Sequence, residues 1–137
     1  MEKLKILLIL ATMFIAGCSP NLTDMEKSDL MVEAGTIKNS LCYGNGVKFF
    51  NLYKDLLETG DSKTEKELRK LLNEGWAEKQ TLEVAERMGG ATEEVDNLVM
   101  RAKKIAKEID FYNLADMGGI AELMESQSDF LWDCKMQ

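Results

Sequence analysis

The chain has no histidine. That absence removes the usual general base near neutral pH, the histidine-containing triads and the imidazole metal ligands. There is no Cys-x-x-Cys pair, and two lone thiols make a poor zinc site. The glycine pairs at 44/46, 89/90 and 118/119 follow no strand as a phosphate-binding loop would. Basic residues are outnumbered, 17 against 24 acidic, which argues against nucleic acid and its need for a basic footprint. The longest apolar stretch, Ile6 to Ile15, is shorter than the ~20 residues of a membrane span. No strand-like alternation of useful length, internal repeat or low-complexity tract is present. The only proline, Pro20, falls in a short polar stretch.

What is present begins at the N-terminus. Lys3 and Lys5 precede the apolar stretch, and the small residues Ala16 and Gly17 follow it, next to Cys18. A positive start, an apolar region of ~7–15 residues and a small-residue cleavage site describe a secretory signal. A plain cleaved signal or a short anchor helix would share some of these features. Ile15-Ala16-Gly17-Cys18 resembles the lipobox of bacterial lipoproteins. The resemblance covers residues 1–19. It implies cleavage between Gly17 and Cys18, and a Cys18 that carries a thioether-linked diacylglycerol and an N-acyl chain. A multiply acylated cysteine holds a protein on a bilayer far more firmly than one chain does. Ser19 stands where enterobacterial lipoproteins retained at the inner membrane have aspartate. The resemblance therefore implies an exported protein, anchored through Cys18 at the outer membrane facing the periplasm if the host is Gram-negative.

The expected organisation is a signal peptide over 1–17, a lipidated tether over 18–27 and a helical domain over 28–137. Lys3, Lys5 and Glu2 leave with the signal, so the remaining 120 residues carry 15 basic and 23 acidic side chains, a net charge of −8. That balance argues against electrostatic attraction to anionic lipid and would suit a basic protein partner, although ordinary solubility explains it as well. Cys42 and Cys134 form an even number in an exported chain, where a disulfide is the default. A redox pair or a pair of metal ligands is the alternative.

The rest reads as helix. Ser28 is a candidate cap for a first helix whose apolar line runs through Leu30, Ala34, Ile37 and Leu41, then resumes at Val47, Phe50, Tyr53, Leu56 and Leu57. Gly44-Asn45-Gly46 interrupts that line, as a kink, a close approach to a neighbour, or a partner's contact point. Thr64 and Glu67 have capping-box spacing ahead of Leu68, Leu71, Leu72 and Trp76. Gly75 ends or bends that helix. Thr92 caps the most regular one, where Val95, Leu98, Val99, Ala102, Ile105, Ala106, Ile109 and Tyr112 keep the helical period. Its other face, with Arg101, Lys103, Lys104 and Lys107, is an island of positive charge. Asn113 to Gly119 is expected to connect to a last helix, with Ile120, Leu123, Met124, Gln127, Phe130, Leu131 and Cys134 inward. Trp132 lies off that line, as an interface anchor or packed on a loop. The fold class expected is all-α, a small bundle of four or five helices closed by one disulfide, Cys42–Cys134.

No catalytic residue, metal site or cofactor is expected. Asp110, Asp116, Glu122, Glu125 and Asp129 gather acidity without the spacing of a calcium loop, and the helix macrodipole explains Glu93-Glu94. The candidate interface residues are Trp132, Gly44 and Gly46. The segment Leu41-Cys42-Tyr43-Gly44-Asn45-Gly46-Val47, with a closing cysteine near the C-terminus, is similar to helical, disulfide-closed immunity proteins of type VI secretion. Together with the lipobox, that similarity implies a membrane-anchored, non-catalytic protein-binding module of immunity type, with a basic secreted protein as partner; the exclusion type is a sibling version. The alternatives are a pilotin-like assembly lipoprotein serving a secretion-system component and, more remotely, an envelope enzyme.

Overall fold

A computed structural model of the chain describes residues 21–134. The expected signal peptide, Gly17, Cys18 and Ser19 lie outside the described residues. Helix α1 (Asp24–Ser40) opens on a reciprocal cap: the Glu26 amide donates to Thr23 Oγ1 at 3.1 Å, and the Thr23 amide to Glu26 Oε1 at 2.9 Å. Two orphan amides are thereby satisfied at once. Ser28, the expected cap, is inside α1, and residues 24–27, expected in the tether, are its first turn. Leu30, Ala34 and Ile37 face the core at helical spacing.

The chain then breaks. Leu41 is extended, and Tyr43 and Gly44 take positive φ, 60° and 78°. Helix α2 (Asn45–Thr59) follows. Gly44-Asn45-Gly46 is therefore a turn and a helix start, not a kink within one helix. Close approach is present too: a methyl group at Gly46 would lie 2.3 Å from the Lys38 carbonyl oxygen.

Helix α3 (Ser62–Leu72) is capped by Asp61, which accepts from the Lys63 amide and the Thr64 hydroxyl. The Thr64 box is not used; Thr64 lies within the first turn. A π-helical turn (Asn73–Glu78) joins α3 to α4 (Gln80–Met88), with Asn73 and Lys79 at its two ends in the right-handed helical region. The regular α-helix gives way after Leu72, just before Gly75. Gly75 lies in this wider turn, where a side chain would press within 2.6 Å of Asn45 Nδ2. Helix α5 (Glu93–Glu108) starts at its expected cap, Thr92. Helix α6 (Leu114–Ser128) is capped by Asn113, so Gly118 and Gly119 lie inside it and not in a connection.

The result is all-α, with five helical rods among the described residues, and the Cys42–Cys134 disulfide joins the first loop to the C-terminal turn (Cα–Cα 5.9 Å). The rods alternate in direction, so loops gather at two poles. One pole holds residues 21–23, 60–61 and 109–113; the other holds 41–44, 89–92 and 129–134. Between them Trp76 is fully buried and donates its indole N–H to Gln127 Oε1 at 2.7 Å. Tyr53, also buried, donates its hydroxyl to the Phe111 carbonyl. Each aromatic of this size removes about 150–250 Å² from water, worth roughly 4–6 kcal/mol across that range as an upper figure.

Candidate functional site

The disulfide pole is built from few apolar groups. Cys42, Val84 and Leu131 form its buried cluster, with Tyr43 and Cys134 packed against it. Polar links do much of the fastening. Gln80 is fully buried on α4; its amide donates to the Ser40 carbonyl at 3.0 Å and its Oε1 accepts from the Cys42 amide at 3.1 Å. This pair satisfies backbone groups left over where α1 ends. Asn45 Nδ2 donates to the Cys42 carbonyl at 3.0 Å. The Tyr43 hydroxyl donates to Glu83, and the Lys79 ammonium sits 4.1 Å from the Tyr43 ring centre. Burial, followed by the hydrogen bond and charge of Glu83, pushes the Tyr43 phenol up to about 12. It stays neutral and donating throughout the physiological range.

The C-terminal turn is held from two sides. Cys134 bonds Cys42, and Arg87 on α4 donates to the Phe130 carbonyl at 2.8 Å and to both carboxylate oxygens of Asp133 at 2.9 and 3.2 Å. Between those fixed points stands Trp132, 85% exposed, with Phe130 45% exposed and Leu131 buried beneath. Trp132 is thus where the sequence placed it, off the inward stripe, and it does not pack on a loop. Phe130, expected inward, is half out, because the helix ends at Ser128 and the turn rotates it away. Gly44 is part of this pole. Gly46 is not available to a partner: it is buried against Lys38 of its own chain.

A second surface lies along the side of the bundle. Helices α5 and α6 leave a groove of about 420 Å³ with Ile105, Ile109, Ile120 and Leu123 along it, Gly119 opening it, and Lys104, Glu108 and Asp116 as its charged lining. The carboxylates singled out in the sequence have local tasks. Asp116 accepts from the Asp110 amide, Asp110 accepts from the Tyr112 amide, and Glu93 and Glu94 occupy the first turn of α5. Glu122, Glu125 and Asp129 are exposed. Among the described residues no group of three or more metal-ligating side chains is placed to share an ion, and no helix is long and apolar enough to cross a membrane.

Sequence reasoning missed Gln80, Arg87 and the Arg87–Asp133 pair. Their partners are 38 to 46 positions away, and no local pattern announces such contacts. No family model matches the chain, and neither a curated protein nor a solved structure is significantly similar to it.

Proposed function

We propose that the chain is a lipid-anchored, non-catalytic protein-binding module of the bacterial envelope, facing the periplasm, of immunity or exclusion type. The observation that carries this reading is Trp132. A large aromatic, 85% in water, on a turn held by a disulfide and an arginine clamp, has little ordering entropy left to lose on binding. Trp is also among the residues enriched at binding hot spots. The lipid on Cys18 would fasten the chain near residue 22, at the opposite pole, leaving the Trp132 pole to face outward. The net charge of −8 beyond Gly17 suits a basic exported partner.

The test is affinity capture of the detergent-solubilised lipoprotein, wild type beside Trp132→Ala. A basic exported protein should bind the wild type and bind the variant at least about 30-fold more weakly, as a hot-spot loss of ~2 kcal/mol requires. Equal capture by both would defeat the assignment of Trp132. A pilotin-like role is the second reading, supported by the groove between α5 and α6, whose apolar length suits an amphipathic helix. Capture of a secretin, unaffected by Trp132→Ala and lost with Gly119→Leu, would favour it.

A further inference from the structure

The chain is acidic as a whole, yet its cations are not spread evenly. Of the fifteen Lys and Arg beyond Gly17, eight lie on α3 and α5. These helices flank a crevice of about 340 Å³, walled by Arg69, Lys70 and Asn73 on one side and Lys103, Ala106 and Lys107 on the other. Four cations line it and no carboxylate does. Arg69 is engaged: it pairs with Glu65 at 2.6 Å, donates to the Lys107 carbonyl at 2.9 Å and stands over the Phe111 ring. Lys103 reaches Glu78 only at 4.0 Å. Lys70 and Lys107 make no ion pair among the described residues. Glu67 and Glu74 lie beyond Lys70, around the neighbouring hollow with Lys48.

The crevice lies toward the pole where the chain emerges. Arg69 covers Phe111, and the next residue, Tyr112, shares a small hollow with Leu22 and Leu114. From Leu22 back to Cys18 is four residues, at most ~14 Å of chain. A lipid on Cys18 would therefore hold this end of the bundle, with the crevice on its flank, within about 14 Å of the bilayer surface at Leu22. Screening confines such attraction to about 8 Å at physiological salt, so it acts only on a domain already held close.

We infer that the α3–α5 crevice docks on the anionic phospholipid headgroups of the anchoring bilayer and sets how the bundle stands. This rests on the lipoprotein reading above. Overall charge, and the carboxylates Asp24, Asp61 and Asp110 at this pole, oppose attraction to anionic lipid; the local arrangement reverses that on one flank. Juxtamembrane lysines and arginines near an anionic leaflet are attracted in this way.

The test uses protein extracted with its lipid, its intact mass first establishing the Cys18 modification. It is reconstituted in phosphatidylcholine vesicles, with or without about one-third phosphatidylglycerol, and its lysines are acetylated and mapped. Lys70, Lys103 and Lys107 should lose reactivity about threefold or more in the anionic vesicles and regain it in ~0.5 M salt, while Lys38, Lys48 and Lys79 keep theirs. In Lys103→Glu/Lys107→Glu, both exposed sites, Lys70 should lose its protection. Equal labelling in both vesicles, or the same protection from inorganic phosphate over neutral vesicles, overturns the proposal; the latter assigns the crevice to a soluble anion. An unmodified Cys18 removes the lipoprotein reading by itself, before any labelling. A lipidated Cys18 with unprotected lysines removes only the docking.

Discussion

The two poles of the bundle are closed by different means. At the pole of residues 109–113, Phe111 is buried, Tyr53 caps its carbonyl, and Arg69 lies over its ring. Packing suffices there. At the other pole the buried apolar cluster is Cys42, Val84 and Leu131, too little to hold two loops and a chain end. A disulfide, the Gln80 fork and the Arg87 clamp supply what the small core lacks. Small apolar volume compensated by cross-links is a general solution. Here it has a second consequence: a turn held from outside the core can carry Trp132 in water without collapsing onto it.

That contrast can be broken by experiment. The largest effect should come from Cys42→Ala/Cys134→Ala. A cross-link spanning 92 positions is worth at most about 4–5 kcal/mol in the loop-entropy account. Thermal unfolding should shift down strongly, and hydrogen exchange should rise first in 41–44 and 129–134. Uniform acceleration at both poles would erase the distinction. Next is Gln80→Leu, which leaves the Cys42 amide and the Ser40 carbonyl buried without partners. At 1–3 kcal/mol per orphaned group, denaturant unfolding should register a loss of about 2–6 kcal/mol.

Glycine substitutions sharpen the comparison. Gly46→Ala forces a methyl against the Lys38 carbonyl and should cost about 1–3 kcal/mol, as overpacking does. Gly119→Ala, with nothing within 4 Å, should gain up to ~1 kcal/mol from helix propensity. Denaturant midpoints of opposite sign are expected.

The smallest effect is at alkaline pH. Tyr43 is held neutral, its phenol raised from 10.0 to about 12, so the folded state resists ionisation that the unfolded chain permits. Its contribution is full below pH 10 and is lost as pH rises from about 10 to about 12. The unfolding midpoint of wild type should fall through that window. In Tyr43→Phe the fall should be shallower but present, because burial also raises Tyr53 and Tyr112. Parallel curves would show that Tyr43 is not so held.

Much of the scaffold was legible because it is written locally. The spacing from Val95 to Ile109 and the Thr92 cap define α5, and the two cysteines left beyond Cys18 pair as the staple. What was illegible is where one local signal is outvoted by distant contacts. Gly118-Gly119 reads as a break, at about 1 kcal/mol per glycine, yet Met117, Ile120, Ala121 and Met124 are buried around it and keep α6 continuous. Asp61 and Thr64 are both competent caps; the left-handed Gly60 ends α2 directly before Asp61, so the earlier one is used. At the candidate site, the place of Trp132 off the stripe left exposure or packing on a loop open, and the structure has it 85% exposed. The hydrogen bonds that steady its turn join residues some forty positions apart, which no periodicity encodes.

The central claim is that one modified cysteine fastens this bundle to a membrane by the pole remote from Trp132. Intact-mass analysis of protein extracted from its native membrane tests it most directly. The account predicts a chain beginning at Cys18, heavier by a diacylglyceryl and an acyl group, and lighter by two hydrogens for the Cys42–Cys134 bond. A chain with an unmodified Cys18, or one cleaved at another residue, would contradict it.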